Sequence, residues 1–263
     1  MANVSLVSAP TLVYNEFMAK KYYSPFKEYS KVKRVHPLYK LIRGMVKLFF
    51  PKNEFVWATE EPKDGEPVVF VCNHTKIYAP TYFLLRKDTV RLWANGFFVR
   101  FKSCWSHFRD NVLFGKRKWL RPLGLILTPL VVYVFRAIEP IPVYKKTAQL
   151  METFEKSIWT LNEGVPQVIF PERTENKVNR YVYEFQQGFP LIAEQYYKQT
   201  GKKVKFYPVY CAQPLRKVVA GDPIEYNPDI PMKLQRKQIC EYLENKIAEI
   251  ADSLPEHEPV IYG

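Results

Sequence analysis

The sequence predicts an α/β protein: a single domain with a central mixed sheet flanked by helices. Short β-rich apolar runs lie at 67–74, 166–172 and 204–212. Amphipathic stretches with three- and four-residue periodicity lie at 147–164, 185–202 and 232–254. Strand-like and helix-like segments alternate along the chain, which is the pattern of a sheet wrapped by helices. A length of 263 residues suits one large domain with terminal additions. The expected division is a basic, amphipathic helical segment over 1–60, an α/β domain over 61–230, and a C-terminal helix and tail over 231–263.

Taken in order, the first segment is basic and aromatic, and its end, "HPLYKLIRGMVKLFF" at 36–50, has helical spacing. Leu38, Leu41, Ile42, Met45 and Leu48 recur at three- and four-residue steps, with Lys40, Arg43 and Lys47 on the other side. Two readings fit: a helix packed on the domain, or an interfacial helix whose basic side meets anionic headgroups. "PVVFVCNH" at 67–74 follows a turn-rich stretch and reads as a buried strand. A helix then starts around Pro80, which is tolerated in a first turn. Residues 90–120 are aromatic and basic without clean periodicity. "PLGLILTPLVVYVF" at 122–135 is too short to span a bilayer and contains Pro129, so it is expected to be buried or to dip into a membrane surface. Gly164 and Gly201 are expected to stop the helices before them. "PQVIFPE" and "VKFYPVYCA" are the next strands.

Composition narrows the partners. The chain is 47% hydrophobic and carries a formal charge of +13, which favours a real core and an anionic partner. Phospholipid, a phosphorylated substrate and nucleic acid all satisfy the charge. No zinc-ligand spacing, RNP-like string or basic heptad helix supports nucleic acid, so none is expected. The four cysteines are scattered without a CxxC pair, and Cys72, Cys211 and Cys240 read as buried thiols, which fits a reducing compartment. No compact leader pattern opens the chain, so a cytoplasmic protein is expected. The few, scattered histidines indicate no metal site, and no GxSxG elbow is present.

Chemistry concentrates after the strands, at Asn73-His74, "IPVYKK" (141–146) and "FPERTE" (170–175). Sites in α/β folds assemble at the carboxyl ends of strands. The ordered set, together with Tyr207-Pro208-Val209, "FQQGFPLIA" at 185–193 and "GDPI" at 221–224, resembles the glycerolipid (lysophosphatidic acid, or 1-acylglycerol-3-phosphate) acyltransferase family. That family carries NHxxxxD, an I-x-V-x-R-like segment, FPEGTR and a V-P-V strand, and the resemblance covers roughly residues 65–225. It implies His74 as catalytic base, with Asn73, Lys145, Glu172, Arg173 and Thr174 as substrate-binding residues. It further implies an acyl-CoA or acyl carrier protein thioester as co-substrate, with no other cofactor, and a lysophospholipid or glycerol-phosphate-type acceptor. The site would work on a phospholipid membrane surface, peripheral on the inner face.

The departures from the family's pattern are specific. The aspartate of NHxxxxD is Ala79, the glycine and arginine of FPEGTR are Arg173 and Glu175, and the arginine of the second motif is Lys145, or Lys146 in the register one residue on. In the resembling mechanism an aspartate holds the histidine in its working tautomer. Its replacement leaves two rival expectations: a catalytically impaired acyl- or lipid-binding protein, or an acyltransferase for a different acceptor.

Overall fold

The computed structural model describes residues 26, 36–86, 90–109, 121–144 and 150–260. The elements are, in order, α1 (Pro37–Phe49), β1 (Glu54–Trp57), β2 (Val68–Cys72), α2 (Tyr78–Arg86), β3 (Arg91–Asn95), a 3₁₀ turn (Gly96–Val99), α3 (Phe101–His107) and α4 (Arg121–Ile138). They continue with β4 (Ile141–Val143), α5 (Leu150–Asn162), β5 (Gln167–Ile169), β6 (Glu172–Lys177), β7 (Tyr183–Phe185), α6 (Leu191–Thr200), β8 (Lys205–Ala212), β9 (Lys217–Ala220), β10 (Ile224–Glu225) and α7 (Met232–Asp252). The main sheet runs β1-β9-β8-β2-β5-β3-β4, with β10 also on β8, and β6 and β7 form a separate hairpin. Strands β8, β2, β5, β3 and β4 are mutually parallel, while β9 and β10 lie antiparallel to β8. The sheet is therefore mixed and helix-flanked, as the sequence predicts.

Alternation decides which helix covers which face. Val69, Val71, Ile169, Phe206 and Tyr210 point into one core with α5, α6 and α7 residues such as Ile158, Ile192, Ile239 and Leu243. Val68, Phe70, Cys72, Val168, Tyr207 and Val209 point the other way, against Tyr78, Tyr82 and Phe83 of α2. Both faces are covered, which is why β2 and β8 read as continuous apolar runs rather than alternating ones. Pro208 sits inside β8, where a missing N–H would ordinarily break a ladder. It falls between the residues paired with β10 (205–206) and those paired with β9 (209–212), where no N–H is asked of it, while its carbonyl accepts the Gly221 N–H at 2.9 Å.

Two helix boundaries follow their expected stops, because Gly164 and Gly201 take φ of 66° and 69°, a region that costs a side-chain-bearing residue more. One prediction is corrected. The helix expected over 185–202 begins only at Leu191, because Tyr183–Phe185 is spent on β7 and Pro190 forms the N-cap. The segment at 122–135 is helical, within α4. Its inner side (Val132) packs on Cys104 and Phe108, whereas Leu123, Leu125, Ile126 and Leu130 are exposed. No helix among the described residues is long and apolar enough to cross a membrane.

Candidate active site

β2 and β5 are hydrogen-bonded parallel neighbours, with Val71 opposite Ile169. Their carboxyl ends therefore emerge side by side, and each carries one of the sequence clusters. After β2 the chain runs through Asn73 and His74 and turns at Lys76, whose φ of 52° lies in the left-handed region. It then enters α2, whose first turn is held by Thr75: its Oγ1 accepts the Ala79 N–H at 3.0 Å, and its carbonyl accepts the Tyr78 N–H at 2.9 Å. This is the side-chain capping that a threonine at a helix start provides. After β5, Phe170-Pro171 leads into the β6–β7 hairpin.

The two ends are joined by one bond. The backbone N–H of His74 donates to Oε1 of Glu172 at 2.9 Å, across 98 residues of sequence. The Phe170 ring lies edge-on to the His74 imidazole, with centroids 5.2 Å apart. Glu172 is in turn fixed by its hairpin. Gln186 N–H bonds to the Pro171 carbonyl at 2.9 Å, and Phe185 N–H bonds to Oε1 of Glu244 on α7 at 2.6 Å. Oε2 of Glu172 is buried and has no hydrogen-bond partner among the described residues.

Burial sets the proton affinities of both groups. It lowers the His74 pKa, so the imidazole is neutral at physiological pH and able to accept a proton. It pushes the Glu172 carboxyl up to about 7, with the His74 and Tyr183 backbone amides pulling the other way. A neutral base and a carboxyl that titrates near neutrality thus share the end of the sheet. The neighbouring thiols are poor nucleophiles: burial raises Cys72 well above its usual range and Cys211 to about 12. Cys72, Cys211 and Cys240 are free and buried, as the sequence predicts, and so is Cys104.

The other expected site residues fall in different places. Asn73 is buried, and its side chain is committed to the backbone of Cys211. Oδ1 accepts the Cys211 N–H at 2.7 Å and Nδ2 donates to the Cys211 carbonyl at 3.4 Å. It ties the end of β2 to β8, a role that requires a side chain with both a donor and an acceptor. Arg173 is exposed on β6, and Thr174 shares that strand. Lys145 lies outside the described residues. Gly96, at the carboxyl end of β3, lies under the Tyr144 ring, and a Cβ there would come within 2.2 Å of Cε1. Ala79, the position of the family's aspartate, is fully buried within the α2 core cluster. Sequence reasoning missed Thr75 and Gly96; the Thr-x-x-x spacing before α2 was the signal for the first.

No protein-family model and no curated protein matches this chain. Among solved structures, the fold is similar to the 1-acyl-sn-glycerophosphate (LPA) acyltransferase PlsC from Thermotoga maritima. The two share 15% sequence identity and a TM-score of 0.49, over 94% of this chain and 98% of that one.

Proposed function

We propose that this protein is a membrane-associated acyltransferase, moving a fatty acyl group from an acyl-CoA or acyl carrier protein thioester to a lysophospholipid or glycerol-phosphate-type hydroxyl. The observation that carries this reading is the junction of His74 and Glu172. Two sequence clusters that resemble one family's motifs, 98 residues apart, meet at adjacent strand ends through a 2.9 Å bond. In the reaction, His74 takes the proton of the acceptor hydroxyl as its oxygen attacks the thioester carbonyl. The C–S bond then breaks, and the leaving thiolate regains that proton to depart as a thiol. The open Oε2 of Glu172 accepts a hydrogen bond from the acceptor and orients it. Arg173 supplies positive charge for the acceptor's phosphate, and Lys145 is assigned the same role by the family resemblance; its ammonium acts as a point charge rather than a fork.

The protein works peripherally on the inner face of the membrane, through the amphipathic helix α1. Leu41, Leu48 and Phe49 of that helix are exposed, and Lys40 and Lys47 lie on its other side. A second reading rests on Ala79: without a carboxylate at that position, the chain could bind acyl groups or lipid while transferring them poorly. Thioester consumption, measured with acyl-CoA and acyl carrier protein donors against a panel of lysophospholipids and glycerol phosphate, separates the two. Acceptor-dependent release of thiol is expected. Binding of acyl thioester with no turnover on any acceptor would establish the second reading instead.

A further inference from the structure

Exposed apolar side chains are not scattered over this molecule. Eleven of the sixteen large ones among the described residues lie on α1, α3 and α4. On α4, Leu123, Ile126 and Leu130 form a stripe at helical spacing on the side opposite Gly124, Thr128 and Val132, which are buried, and Leu125 in the first turn is exposed as well. From sequence this helix is expected to be buried or to dip into a membrane surface, and its outer face shows that two turns of it are not spent on the core. The three helices are packed as one unit. Tyr39 of α1 shares a cluster with Ala137 and Ile138 of α4, the Tyr133 hydroxyl meets His36 Nδ1 at 2.7 Å, and Cys104 of α3 packs on Val132.

Charge identifies what such a face meets. Residues 36–53, 96–109 and 121–138 together hold nine lysines and arginines and not one aspartate or glutamate. Elsewhere the chain is mixed, since all 26 of its acids lie outside these segments. An apolar stripe on a unit of one sign complements a bilayer with anionic headgroups, which takes up apolar side chains and attracts cations at once. We infer that α4 is a second lipid-inserting element, and that α1 and α4 dock together onto an anionic phospholipid bilayer. This rests on the membrane part of the proposed function and not on acyl transfer.

Flotation with vesicles of equal phosphatidylglycerol and phosphatidylcholine tests it on the full chain, with pure phosphatidylcholine vesicles for comparison. Two double variants are needed: Leu123→Ser with Ile126→Ser on α4, and Leu48→Ser with Phe49→Ser on α1. These side chains are between 46% and 83% exposed, so thermal unfolding should barely change. Each double variant is expected to lower partitioning by at least about tenfold, and added salt should lower it further. Unchanged partitioning of the folded α4 variant would overturn the inference, whatever the α1 variant does. So would a dimer in sedimentation equilibrium that the α4 changes dissociate, because the face would then be covered by a second copy. A wild-type protein that consumes thioester with a soluble acceptor yet ignores anionic vesicles would overturn the docking while leaving the chemistry standing.

Discussion

Glu172→Gln changes one thing cleanly: it keeps an acceptor oxygen of the same shape for the His74 N–H and removes the ionisation. In the fold this carboxyl titrates at about 7 instead of 4.5, because burial opposes its charged form more than the His74 and Tyr183 amides favour it. The folded pKa lies above the unfolded one, so the folded chain binds the extra proton between the two. The carboxyl's contribution is then fully present below about pH 4.5 and lost as pH rises through about 7. Each pKa unit corresponds to about 1.4 kcal/mol, so the wild type should lose roughly 2–3 kcal/mol from this group between pH 5 and pH 8. The glutamine variant has no such loss. Any cost of seating its amide near Oε2 is independent of pH and cancels in the comparison. Urea unfolding of both proteins at pH 5 and pH 8 gives the double difference directly, and the variant should gain on the wild type at pH 8. Equal pH dependence in the two proteins would refute the reasoning, since the carboxyl would then be ordinary in both states.

Two further changes report on the same strand ends. Asn73→Ala strips both bonds from the Cys211 backbone and leaves a buried N–H unpaired, so stability measured by urea unfolding should fall by about 2–3 kcal/mol. Ala79→Asp restores the family's carboxylate but places it in a fully buried apolar cluster. A loss of about 3 kcal/mol or more at pH 8, with partial recovery at low pH as the group is protonated, is expected by denaturant melts, with no rise in acyl transfer. A stable Ala79→Asp protein with faster transfer would show that position 79 reaches the His74 ring.

The sheet was legible where both of its faces are covered. β2, β5 and β8 are short, strongly apolar and bounded by turns, and burial on both sides leaves little room for polar residues. Edge strand β1, four residues of "EFVW", and β9, "KVVA", are too short to show a period, and their register depends on neighbours distant in sequence. The β6 strand "ERTENK" is polar throughout and looks like a turn, because a hairpin standing off the sheet needs no apolar face. At the site, His74 and Glu172 could be singled out by motif, but their contact depends on β2 and β5 being neighbours, which no local pattern encodes. Asn73 shows the same limit. Motif reasoning assigns it to substrate, and only the adjacency of β2 and β8 reveals that its amide is occupied by Cys211. The outer face of α4 was illegible for a different reason, since an apolar helix reads alike whether it faces a core or a bilayer.

The central claim is that the His74 imidazole acts as the base of an acyl transfer, and one measurement tests it most directly. Acyl-thioester consumption with a responsive acceptor should be followed for wild type and His74→Ala, with circular dichroism and thermal unfolding confirming that both are folded. General base catalysis contributes about 10²–10⁴-fold, so the variant's acceptor-dependent rate should fall by at least two orders of magnitude while donor binding persists. A folded His74→Ala protein that transfers acyl groups at the wild-type rate would contradict the claim.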